Sequence, residues 1–130
     1  MTKPVALVYY DNLLSGNQLV NRLQDLSYRV LVVNDLNRLV PEAVSAKAIV
    51  FVANFGAPAN LVNAAIKVLR AHSDTAHIPV LAFLRSAGKK SLDKKLTDSV
   101  RVAGATVIAG EEEGIRKQLP LLLEQAFEID

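Results

Sequence analysis

Five short apolar runs, separated by stretches of helical periodicity, leave this chain few ways to fold. The runs are Val5-Ala6-Leu7-Val8-Tyr9-Tyr10, Val30-Leu31-Val32-Val33, Ala48-Ile49-Val50-Phe51-Val52-Ala53, Val80-Leu81-Ala82-Phe83-Leu84 and Thr106-Val107-Ile108-Ala109. Each is continuous rather than alternating, the pattern of parallel strands covered on both faces. Between them, apolar residues recur at helical spacing: Leu19, Leu23 and Leu26; Leu61, Ala65, Val68 and Leu69; Leu92, Leu96, Val100 and Ala103; Ile115, Leu119, Leu122 and Ala126. Each set predicts a helix with one buried stripe. The second intervening segment is the weakest, because Pro41 allows only a short turn through Val44. Strands alternating with helices predict an α/β fold, a doubly wound five-stranded parallel sheet of order 2-1-3-4-5 with helices on both faces.

A chain of 130 residues makes one domain, spanning 1–130, and is long enough to bury a core. With 51% apolar and 22% charged residues, the composition is globular rather than disordered. Cysteine is absent, which excludes disulfides and thiolate metal sites and fits a reducing, cytoplasmic setting. Met1-Thr2-Lys3-Pro4 leads straight into the first strand, leaving no room for a signal peptide. No apolar run approaches the ~20 residues of a membrane span. A net charge of +2 is too small to argue by itself for nucleic acid or an anionic membrane.

In doubly wound sheets the functional crevice lies at the carboxyl ends of the strands, near the point where strand order reverses. That places Tyr10, Asp11, Asn54, Leu84, Arg85 and the Gly110-Glu111 turn together. Asp11 reads first as the N-cap of the first helix. A weaker reading makes it, with Glu111, a Mg²⁺ ligand. Tyr10 is expected to pack against the crevice, and Asn54 to cap the turn after the third strand.

Several spacings resemble the receiver domain of two-component response regulators. Pro58 lies four residues after Asn54, as a proline does after a receiver's phosphorylated aspartate. Ile78-Pro79 resembles the Ile-Pro pair that opens a receiver's fourth strand. Leu26-Ser27-Tyr28-Arg29-Val30 is similar to the Leu-Gly-Tyr-x-Val that leads into the second, and Gly104-Ala105 to the pair before the fifth. The resemblance implies a phosphorylation switch, yet the positions that would carry its chemistry all depart from the family. The acidic pair that holds Mg²⁺ is Tyr10-Asp11, and the phosphoacceptor is Asn54. The hydroxyl residue ending the fourth strand is Leu84. The lysine after the fifth strand falls on Glu111-Glu112, and the aromatic switch residue becomes Ile108.

An amide is not a nucleophile, and one carboxylate is little for a cation that prefers hard oxygen ligands. Glu111 would reverse the charge that helps neutralise a transferring phosphoryl group. The expected protein is therefore a pseudo-receiver: non-enzymatic, without cofactor, and working by protein contact in bacterial signalling. Two rivals stand beside it, an atypical phosphotransfer domain using Asp11 and a small-ligand-binding domain using the vacated crevice.

A receiver signals through its fourth helix, fifth strand and fifth helix, so the resemblance implies contact, with a protein partner or a second copy, through Lys94, Lys95, Ile108, Leu119, Leu121 and Leu123. Apolar residues spread round more of the fifth helix than one buried stripe requires, and Pro120 is expected to kink or restart it. The basic cluster Lys89, Lys90, Lys94, Lys95 and Arg101 reads as a solvated face or a surface for an acidic partner, with too few aromatics for nucleic acid. Gly88-Lys89-Lys90-Ser91 lacks the upstream glycine and the Ser/Thr of a phosphate-binding loop. His72 and His77 do not share a helical face, and no third ligand is spaced to join them. A flavin-phosphate loop after the first strand is contradicted by the acid at Asp11.

Overall fold

The computed structural model describes residues 3–56, 59–85, 94–110 and 114–128. The strands are β1 (Val5–Tyr10), β2 (Arg29–Val32), β3 (Val50–Phe55), β4 (Val80–Leu84) and β5 (Val107–Gly110), all parallel, in the order β2-β1-β3-β4-β5. The helices are α1 (Leu13–Asp25), α2 (Leu39–Ala46), α3 (Asn60–Ala71), α4 (Lys94–Ala103) and α5 (Leu119–Glu128). This is the doubly wound sheet expected from the apolar runs. None of the described helices is long and apolar enough to cross a membrane.

Alternation along the strands sorts the core into two layers. Leu7, Phe51, Ala53, Phe55, Ala82 and Leu84 face α2, α3 and α4, while Ala6, Val8, Val50, Val52, Leu81 and Phe83 face α1 and α5. Both layers are closed to solvent, so the strands have no polar face and read as unbroken apolar runs.

Local chemistry sets the helix boundaries. Asn12, not Asp11, caps α1: its side chain accepts from the Ser15 N–H at 3.2 Å. Asn12 sits in extended backbone just before the first helical residue, where a short polar side chain satisfies an orphan N–H. Pro41 does not truncate α2, which runs eight residues to Ala46 after a 3₁₀ turn, Leu36–Arg38, capped by Asp35. Pro41 occupies the first turn, where an N–H has no intrahelical partner to lose. Ser27, at the glycine position of the loop before β2, has a φ of 69°. A π-helical turn, Gly114–Gln118, leads into α5, so Pro120 stands at the second residue of a restarted helix rather than inside an unbroken one.

At the amino ends of β4 and β5, Arg70 of α3 ties four segments together. Its Nε donates to Gly104 O at 2.9 Å, Nη1 to Ala76 O and Ile78 O at 2.7 Å each, and Nη2 to Thr106 Oγ1 at 3.0 Å. Thr106 Oγ1 also accepts from the Val80 N–H at 3.0 Å. Burial pushes the guanidinium below its ordinary value, because every acceptor is neutral. Gly104 is required beneath it: φ is +126°, and a Cβ there would lie 2.7 Å from Arg70 Cγ.

Candidate functional site

The third strand starts and ends two residues later than its apolar run suggests. Asn54 is therefore not at a strand tip but inside β3, paired in register with Tyr10 of β1 and Phe83 of β4. Residues in such a row share one face of the sheet. The Asn54 side chain thus sits between Tyr10 and Phe83, in the layer covered by α1 and α5, and it is 0% exposed. Two glycines let these elements close over the row. A Cβ on Gly16 of α1 would stand 2.3 Å from the Tyr10 ring, and one on Gly114 would stand 2.5 Å from Phe83. Neither Oδ1 nor Nδ2 of Asn54 has a hydrogen-bond partner. A buried amide in this state costs free energy that water would otherwise supply.

The same alternation separates the other expected pocket residues. Leu84, one residue past Phe83, turns to the opposite face and packs in the layer of α2, α3 and α4. Tyr10 packs inward against α1 rather than lining an open crevice. Glu111 and Pro58 lie outside the described residues, as do Lys89 and Lys90. Of the five residues expected to line one vacated pocket, the four that are described are not gathered in one. Tyr10 and Asn54 are neighbours in a closed layer, Leu84 is beneath the other face, and Asp11 stands above the sheet edge.

Asp11 has a different partner from any the sequence suggests. Its Oδ1 is bonded by Arg85 Nη2, and its Oδ2 accepts from the Gly56 N–H at 3.2 Å. The backbone continues the tie: Asp11 N–H donates to Asn54 O at 3.2 Å, and Arg85 N–H to Phe55 O at 2.9 Å. Arg85 lies across Gly56, where a Cβ would meet Nη1 at 3.2 Å. An ion pair from the β1–α1 loop to the end of β4 thus bridges over β3. Both side chains are about one-third exposed, so the pair contributes only about 1 kcal/mol, but it settles which groups occupy the crevice.

Among the described residues, the donor set of this crevice does not suit Mg²⁺, the cation that the resemblance implies for it. Asp11 is the only carboxylate the described crevice offers, and both its oxygens are engaged, one of them by a guanidinium. Among the described residues, no three His, Cys, Asp or Glu are grouped to hold a metal. His72 and His77 are exposed at the end of α3.

The expected contact surface is only partly available. Lys94 and Lys95 are exposed on α4. Ile108 is half-buried against the core, and Leu119 and Leu123 are enclosed in it. Leu119 and Leu123 are not exposed for contact, because α5 lies against β4 and β5 through that face. Leu121, 54% exposed, is the leucine of α5 that faces outward; Phe127 at the end of α5 and Val102 on α4 are exposed too.

No protein-family profile matches this chain, and no curated protein sequence matches it either. Solved structures do. The chemotaxis protein CheY4 of Vibrio cholerae superposes with a TM-score of 0.77 at 18% identity, over 96% of this chain and 99% of that one. The receiver domain of a sensor histidine kinase from Pseudomonas aeruginosa, with a magnesium ion coordinated in its active-site cleft, gives 0.75 at 17% identity over 97% and 99%. The signal receiver domain of a histidine kinase from Syntrophus aciditrophicus gives 0.76 at 13% identity over 98% and 92%. The chain therefore has the response-regulator receiver fold along nearly its whole length.

Proposed function

We propose that this protein is a phosphorylation-independent receiver module: a non-enzymatic signalling domain of the cytoplasm that works by protein contact and takes no phosphoryl group. The observation that carries the reading is Asn54. The side chain at the phosphoacceptor position is a non-nucleophilic amide, and it is sealed between Tyr10 and Phe83. The Asp11–Arg85 pair supports the reading, since a tethered guanidinium engages the carboxylate that would otherwise receive a cation. The contact surface in this reading is α4, β5 and α5, on which Val102, Leu121, Phe127, Lys94 and Lys95 are exposed. Its partner is another protein or a second copy of the chain. Transfer through Asp11 is the weaker alternative, because that carboxylate is held by Arg85 and the Gly56 N–H.

Metal binding tests this directly. In a titration of the ¹⁵N-labelled chain with Mg²⁺ to millimolar concentration, the amide resonances of Asp11, Asn54, Gly56 and Arg85 stay in place. A saturable shift at these four positions overturns the reading.

A further inference from the structure

The carboxyl edge of the sheet carries a second concavity, separate from the crevice over β3. It is an open cleft of about 450 Å³ between α3 and the segment that runs from β2 into α2. That volume falls within the range of about 300–1,000 Å³ typical of small-molecule sites. Tyr9 of β1 supplies its floor, beside the switch point between β1 and β3 where ligands of doubly wound sheets bind.

The cleft has an apolar body and an acidic rim. Leu36 and Val40 line it from the α2 side, and Leu61 and Val68 from α3. Leu61 is 71% exposed and Val68 58%, although the other large apolar side chains of this helix, Val62, Ile66 and Leu69, are buried. Ala64 between them leaves the space open. The rim carries Asn34, Asp35 and Asn37, and no lysine or arginine is among the lining residues. Asp35 uses Oδ1 to accept the Asn37 N–H at 3.0 Å, a bond that fixes the carboxylate at the mouth. One net negative charge at the mouth of an apolar cleft, on a chain of net charge +2, selects for a cation with an apolar body.

We propose that this cleft binds a small amphipathic molecule: an apolar or aromatic body seated between Val40 and Val68, and a protonated amine held by Asp35. The proposal does not depend on whether Asn54 can be phosphorylated. The side chains that define the cleft come from the two segments flanking Tyr9, while the closed crevice uses Asp11, Gly56 and Arg85.

Three probes of one shape and different charge test it: tryptamine, indole and indole-3-acetate, titrated into the full ¹⁵N-labelled chain. Tryptamine is expected to give saturable shifts at Leu36, Ala64 and Val68, with an affinity about fivefold above that of indole, the factor expected from one exposed charge pair. Indole-3-acetate is expected to bind more weakly than indole. Asp35→Asn is expected to equalise tryptamine and indole while leaving indole bound. Val68→Arg, at an exposed position that the fold does not need, is expected to abolish all three. The absence of saturable shifts at millimolar tryptamine overturns the proposal, and so does equal affinity for the two charged probes. A doubled mass in solution that Val68→Arg returns to the monomer also overturns it, since the cleft would then be covered by a second copy.

Discussion

Asn54→Asp lowers the stability of this fold by about 3–5 kcal/mol at neutral pH, the cost of holding a carboxyl group where its charge is desolvated. The introduced group would stand between Tyr10 and Phe83, under Gly16 and Gly114, with no donor in reach of the present amide. Burial raises the folded-state pKa of such a group above its unfolded value of about 3.9. The sign of the pH dependence follows. Below the unfolded pKa the group is neutral in both states and the penalty is small. As pH rises above the unfolded pKa, the unfolded chain ionises freely while the folded one resists, so stability falls until the folded pKa is passed and then levels off. Urea midpoints of the variant should therefore approach those of the wild type in acid and diverge from them toward neutrality. Asn54→Leu should do the opposite. It removes two unpartnered polar atoms from a sealed layer and raises stability by about 1–2 kcal/mol, at all pH values. If Asn54→Asp matched the wild type from acid to neutral pH, the side chain at this position would have to face solvent.

Arg70→Met is expected to lower stability by about 3–4 kcal/mol. Bonds to a charged donor contribute more than neutral ones, and a methionine here leaves the carbonyls of Gly104, Ala76 and Ile78 short of a donor. At this chain length that is a fall in Tm of about 12 °C. Arg70→Lys should recover only part of the loss. A single ammonium cannot reach Gly104 O, Ile78 O and Thr106 Oγ1 together, as a planar guanidinium does. Thermal melts of the two variants check both statements. Equal melting temperatures for the wild type and Arg70→Met would show that this clamp does not hold the amino ends of β4 and β5.

Much of the architecture was legible because the sheet is covered on both faces. Strands of that kind must be continuous and apolar, and helices on both faces must show a buried stripe. The stripe Ile115, Leu119, Leu122 and Ala126 is buried as its spacing implies. The misses have physical reasons. The apolar run of β3 begins at Ala48, but Ile49 is a partly exposed residue whose N–H already donates to Val5 O ahead of the strand. At the far end a polar asparagine interrupts the apolar run, yet the backbone goes on pairing, at Asn54 with both neighbours and at Phe55 with β4. Backbone pairing ignores side-chain polarity, so the boundary could not be read from hydropathy.

Leu61 and Val68 share a helical face with Ala65 and Leu69, but the core lies one residue round the helix, at Val62, Ala65, Ile66 and Leu69. Periodicity places a stripe only to within such a step, and the two residues left outside line the cleft. Leu119, already part of the expected buried stripe, and Leu123, one turn further on, are enclosed in the core rather than on the surface. Asp11 and Arg85 were both legible as crevice residues from their places after β1 and β4. Their pairing was not, since it joins positions 74 apart in the chain through the strand order alone. The signal that could have found it is chemical: a lone acid and a lone base at the carboxyl ends of the two strands flanking β3.

The central claim is that a sealed amide and an engaged aspartate leave this receiver fold with nothing to phosphorylate. The measurement that tests it most directly is the intact mass of the purified chain after incubation with acetyl phosphate and Mg²⁺. The account predicts an unchanged mass, with and without the metal. A stable gain of one phosphoryl group, mapped to Asp11 or to any other residue of the crevice, would contradict it.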